Sequence, residues 1–109
     1  VNLHGTATPS NDASEDRAVG AVFGQATPCS STKGATGHTL GAAGGVEAAV
    51  CLLALAHGFV PGGLNVQELD PALKVDYARG NRLAPLQAVL SNSFGFGGTN
   101  ASLVFGIAA

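Results

Sequence analysis

Three short stretches of this sequence combine chemically capable side chains with glycine. They are His4-Gly5-Thr6-Ala7-Thr8, the run from Lys33 through Gly37-His38, and Asn92-Ser93-Phe94-Gly95-Phe96-Gly97-Gly98-Thr99-Asn100. Glycine beside a polar group lets the backbone come close to a ligand. Two neutral imidazoles can donate hydrogen bonds to one carbonyl oxygen and so stabilise the negative charge that develops on it as an enolate forms. His4 and His38 are the candidates for such an oxyanion hole. Lys33, five residues before His38, is either an exposed surface charge or a buried cation that sets the protonation of its neighbours. His57, at the end of an apolar run, can simply complement a helix dipole and is assigned no function. Glu47, within that apolar run, needs a partner on either reading.

The elements that must carry these groups follow from the pattern between them. Val1 to Leu3 read as the tail of a strand that delivers His4, its beginning expected upstream. Asn11 or Asp12 can cap a helix running to about Phe23, with Ala18, Val19, Val22 and Phe23 apolar, Glu15, Asp16 and Arg17 on the wet side, and Gly24 as its stop. Thr27 to Ser31 is a short strand candidate leading Lys33 into a glycine-bearing loop. Leu40 to Ala56 is the strongest helical segment, apolar on nearly every face, which predicts a helix in the middle of a structure. The segment from Pro61 to about Gln87 is read as loop with a short extended piece at Val75-Asp76-Tyr77, and little chemistry is expected there. Ala88 to Leu90 and Ser102 to Ile107 predict two strands joined by the glycine-rich stretch, whose backbone must adopt unusual angles. Helices alternating with strands imply a layered α/β architecture with a mixed sheet.

Several chemistries are excluded by spacing. The order Ser31-Thr32-Lys33-Gly34 is not that of a phosphate loop, which needs Gly-Lys-Ser/Thr before a helix. Gly95 and Gly97 are followed by Asn100 where a dinucleotide fingerprint needs its third glycine. Cys29, Cys51, His4 and His38 lack paired zinc-ligand spacing. Neither cysteine opens a helix or adjoins a base, so neither reads as a nucleophile, and both are expected reduced and buried.

At 109 residues the chain offers one folding unit at most. Only 11% of its residues are charged, against roughly 25% for an ordinary soluble domain. Part of its surface is therefore expected to be covered, by more of the same protein or by a second subunit. The net charge of −2 gives no basic field for nucleic acid. No leader is recognised, no membrane span is expected, and a cytoplasmic location is the expectation.

In their order and spacing, the three stretches resemble the β-ketoacyl-carrier-protein synthases of the thiolase superfamily. That family carries an HGT-x-T loop, a K-x-x-x-x-GH segment followed by GAAG, and an NSFGFGGTN loop. The resemblance implies a single partial domain over residues 1–109, part of the C-terminal half of a thiolase-like fold, with the nucleophile-bearing half outside it. It implies decarboxylative condensation of a malonyl thioester with an acyl-enzyme in fatty-acid or type II polyketide synthesis. His4 and His38 would hold the malonyl carbonyl, and Lys33 would support the charge network. Thr6 and Thr8 would bind the phosphopantetheine arm, and Phe94 and Phe96 would border the acyl pocket. Asn2, Glu47, Ser91 and Asn92 match positions that surround a monovalent cation in some relatives. No cofactor beyond the carrier's phosphopantetheine is implied. The implied partners are acyl carrier protein, the remainder of the synthase, and a second copy in a homodimer. With no nucleophile of its own, the isolated polypeptide is expected to be inactive in condensation. A non-catalytic partner subunit of the chain-length-factor kind is the alternative, although retention of His4, Lys33 and His38 argues against it.

Overall fold

A computed structural model describes residues 1–108. The first helix, α1 (Pro9–Phe23), has its cap three residues before the expected Asn11 and four before Asp12. Thr8 takes the N-cap position and Pro9 follows it, where a proline's missing N–H costs nothing. Strand β1 (Pro28–Cys29) leads to a four-residue helix α2 (Lys33–Thr36) in place of the loop expected around Lys33. A 3₁₀ turn (Leu40–Ala42) runs into α3 (Ala43–His57), which ends at left-handed Gly58. Then come β2 (Phe59–Val60), β3 (Asp76–Tyr77), β4 (Arg82–Leu83), β5 (Ala88–Phe94) and β6 (Asn100–Gly106).

Residues 1–3 unite the main sheet. Asn2 bridges Ser30 on one side and Ser91 on the other, both in parallel. Since β1 pairs with β3 and β5 with β6, the ladder runs β3, β1, residues 1–3, β5, β6. Every pairing in it is parallel except β5 with β6, so the sheet is mixed, as the alternation of elements implies. The small antiparallel pair β2–β4 had no sequence signal, because two-residue strands show no periodicity.

The helices lie on opposite faces. Val19 of α1 packs on Leu3 and Cys29, with Val1, Val75 and Tyr77 around them. The apolar stripe expected on α1 is otherwise wrong: Val22 and Phe23 are exposed, whereas Glu15, placed on the wet side, is only 3% exposed. The buried stripe consists of Glu15 and Val19, one helical turn apart. On the other face α3 buries Ala43, Glu47, Cys51 and Ala54 and packs against β5.

Leu52 and Leu53 of α3 are more than half exposed, so among the described residues this apolar helix is covered on one face only. With its 3₁₀ turn, Leu40–His57 spans 18 residues at a mean hydropathy of 1.6, long and apolar enough by those measures to cross a membrane. An ion-paired Glu47 in its middle and the packing on β5 give it the character of a domain core helix.

Candidate active site

The parallel strands end at one rim of the sheet, where ligands of open α/β sheets gather. His4 follows residues 1–3, Ser31 to Lys33 follow β1, and Phe94 closes β5. That shared rim explains how residues far apart in sequence meet. The rings of His4 and His38 lie 5.3 Å apart in a T-shaped arrangement, and the Phe94 ring lies 5.5 Å from His4.

Hydrogen bonds select one tautomer for each imidazole. Lys33 Nζ donates to His4 Nδ1 at 3.4 Å, and the Leu40 backbone N–H donates to His38 Nδ1 at 3.2 Å. With both Nδ1 atoms accepting, the proton of each neutral ring sits on Nε2. Two Nε2–H donors therefore remain for a third party. Leu40 reaches its position with φ of 53°, a left-handed conformation unusual for leucine.

His4 is 5% exposed, and its pKa falls from 6.5 to about 4. Burial is the largest cause, followed by the charge of Lys33 and the proximity of His38. Lys33 is itself buried and forms an ion pair with Glu47 of α3, the partner that glutamate required.

Glu15 was missed by the sequence reading. Its carboxylate accepts the backbone N–H of His4 at 2.7 Å and of Gly5 at 3.0 Å, and Asn92 Nδ2 donates to it at 3.3 Å. Asn92 Oδ1 in turn accepts from Ser102 Oγ at 2.7 Å. One acid on α1 thus ties the His4 loop to the hairpin. The available signal was its place one turn before Val19, on the stripe that had to face the sheet.

The other predicted residues are distributed unevenly. Thr6 and Thr8 share a 2.9 Å hydrogen bond and stand at the surface beside His4. Phe96 is fully exposed at the hairpin tip, where Gly97 and Gly98 have φ of 82° and 89°, the unusual angles the glycines implied. His57 is exposed at the end of α3, away from the site. Cys29 and Cys51 are free and buried, and burial pushes both thiols up, away from the thiolate a nucleophile needs.

Asn2, Ser30 and Ser91 are direct cross-strand partners, so their side chains leave the sheet on one face, the α3 side on which Ser91 meets Cys51. Asn2 Oδ1, Thr32 Oγ1 and Glu47 Oε2 are buried without hydrogen-bond partners, and the buried Ser91 side chain lies against the Cys51 thiol. The Asn92 side chain is engaged by Glu15 and Ser102.

Comparison with known proteins agrees with this geometry. Residues 1–67 match the C-terminal domain of the β-ketoacyl synthases. The mitochondrial 3-oxoacyl-[acyl-carrier-protein] synthase of Arabidopsis thaliana is 48% identical over 96% of the chain and 24% of its own length. A β-ketoacyl synthase from Burkholderia phymatum superposes with a TM-score of 0.93 at 39% identity, over 100% of this chain and 28% of that one. A Xenorhabdus doucetiae ketosynthase, solved in complex with its chain length factor, gives 0.91 at 45% identity over 98% and 28%. The chain spans about a quarter of the length of such relatives. Its layered mixed sheet is part of the thiolase-like fold of ketosynthases. On motifs, fold and identity together, the chain belongs to the β-ketoacyl synthase family and represents its C-terminal domain.

Proposed function

We propose that this chain supplies the decarboxylation machinery of a β-ketoacyl-carrier-protein synthase. The observation that carries the reading is a pair of histidine rings 5.3 Å apart whose Nδ1 atoms are both occupied as acceptors, which leaves each ring an Nε2–H to donate. A malonyl thioester oxygen held by both donors is stabilised as charge grows on it. The bond between the malonyl methylene carbon and its carboxylate breaks. Carbon dioxide leaves, and the electron pair moves into the enolate. The enolate carbon then attacks an acyl thioester on a cysteine outside this chain and expels the thiolate.

Lys33 keeps His4 neutral and aligned, since a cation at Nδ1 opposes a second proton on the ring. Thr6 and Thr8 would receive the phosphopantetheine arm, and Phe94 and Phe96 would border the acyl chain. Acyl carrier protein, the remainder of the synthase and a second copy are the partners this reaction calls for. Asn2, Ser91 and Glu47 would hold a monovalent cation, which would fix the Lys33–Glu47 pair electrostatically. A cytoplasmic or organellar matrix location suits substrates carried on a soluble protein. Retention of the two histidines and Lys33 favours this reading over a non-catalytic partner subunit, which has no enolate to stabilise.

The test is carbon dioxide release from malonyl-carrier protein by the complete synthase and by its His4→Ala and His38→Ala variants. Release lost in both supports the assignment, and near-normal release from either overturns it.

A further inference from the structure

The segment from Gly62 to Tyr77 has no part in the proposed reaction, and its sequence suggested a plain surface loop. The structure attaches it at several points to the turn that presents Lys33. Gly63 N–H donates to Ala78 O at 2.8 Å, and Ala78 N–H donates to Cys29 O at 2.8 Å, so the segment is fixed to the end of β1. The Tyr77 hydroxyl accepts the Ser31 N–H at 3.4 Å. Two residues beyond Ser31, Lys33 begins α2.

Contact on the far side of Lys33 is closer still. Asn65 Nδ2 donates to Gly34 O at 3.2 Å. The Leu64 carbonyl occupies the space a Cβ on residue 34 would need, so only glycine fits there. Asn65 has φ of 63°, in the left-handed region that asparagine tolerates better than most residues. Lys33 is therefore gripped before and after: at Ser31, whose hydroxyl also donates to Gly5 O at 3.2 Å in the His4 loop, and at Gly34.

We propose that Asn65, with the Leu64 backbone seated on Gly34, is a positioning latch that sets the reach of Lys33 to His4. Asn65 touches no reacting atom. It acts through the lysine turn, and its catalytic meaning rests on the decarboxylation proposed above. Loss of the amide donor lets α2 shift relative to the His4 loop, and a misplacement of about 1 Å at a catalytic group can cost about 100-fold in rate.

The experiment compares Asn65→Gly, Asn65→Asp and Gly34→Ala in the complete synthase with malonyl-carrier protein as the probe. Asn65→Gly keeps the left-handed backbone, and Asn65→Asp keeps the shape; both remove the donor. The readouts are kcat and KM for decarboxylation, thermal unfolding, and the ring-nitrogen NMR signal of His4 near neutral pH, which reports the hydrogen bond from Lys33. The expected result is a fall of about 10-fold in kcat for both Asn65 variants with KM within about twofold. A weakened Lys33 bond in the His4 signal and near-normal unfolding should accompany it, with a larger loss in Gly34→Ala. Wild-type kcat and an unmoved His4 signal in folded Asn65 variants overturn the latch. If the His4 signal moves as expected but the unaltered protein releases no carbon dioxide, the latch stands and the enzymatic reading falls.

Discussion

His4 carries the most heavily modified environment among the reacting groups. Its pKa of about 4 lies below the 6.5 of an unfolded ring, so the unfolded state binds more protons between those values. The contribution of His4 to stability is therefore complete above pH 6.5 and is lost as pH falls through about 4. Ring NMR should follow this titration directly. Lys33→Met should raise the His4 value, because the lysine charge is the second cause of the shift. Burial, the first cause, keeps it below 6.5 even then. A folded variant still titrating at about 4 would remove Lys33 from the account. His38→Ala should reduce carbon dioxide release by about 100-fold or more, the usual cost of one oxyanion donor. The residue scale is where the sequence was most legible: His4, Lys33, His38 and Phe94 converge as their motifs implied. Glu15 was illegible because an acid between Asp12 and Asp16 has the composition of a wet face, and only the sheet packed above it shows otherwise.

Helix α1 is both a crossover between parallel strands and the carrier of that acid. Glu15→Ala should leave the His4 and Gly5 amides without an acceptor, at about 1–3 kcal/mol for each buried group. Denaturant unfolding measures the loss. Glu15→Gln, which keeps one acceptor oxygen, should be milder, and equal stability of both variants with the unaltered protein would refute the capping role. Val19→Ala, in the cluster with Leu3 and Cys29, should cost about 2 kcal/mol. The presence of α3, β5 and β6 was readable because each is long enough to show a pattern, but β5 runs four residues past the expected Leu90 to Phe94 and β6 starts two residues early at Asn100, since the polar and glycine-rich residues there read as loop. The start of α1 was misplaced because Asn11 and Asp12 are good caps in the abstract, while Thr8 and Pro9 already begin the helix. The β2–β4 pair and the anchoring of the 62–77 segment depend on backbone contacts between distant residues, which no local pattern encodes.

Seen whole, the described residues form a layered unit that leaves apolar side chains bare on both sides of its sheet. Leu52 and Leu53 on α3 and Leu103 and Val104 on β6 are all more than half exposed. Exposed large apolar side chains in such number mark surface meant for cover. The 109-residue chain by itself should bind a hydrophobic dye such as ANS and self-associate with rising concentration. Leu52→Glu with Leu53→Lys should suppress both in light scattering, and a monomeric, dye-silent parent chain would contradict the prediction. The low charge content anticipated an incompletely covered surface, but not which side chains would be left bare.

The two imidazoles differ in what holds them. His4 leans on a lysine side chain, which a single nucleotide change can delete. His38 leans on the peptide nitrogen of Leu40, which every coded exchange except proline preserves. Genetic drift can therefore silence the first ring far more readily than the second. A lineage losing this chemistry should show decay at Lys33 while the Leu40 contact persists.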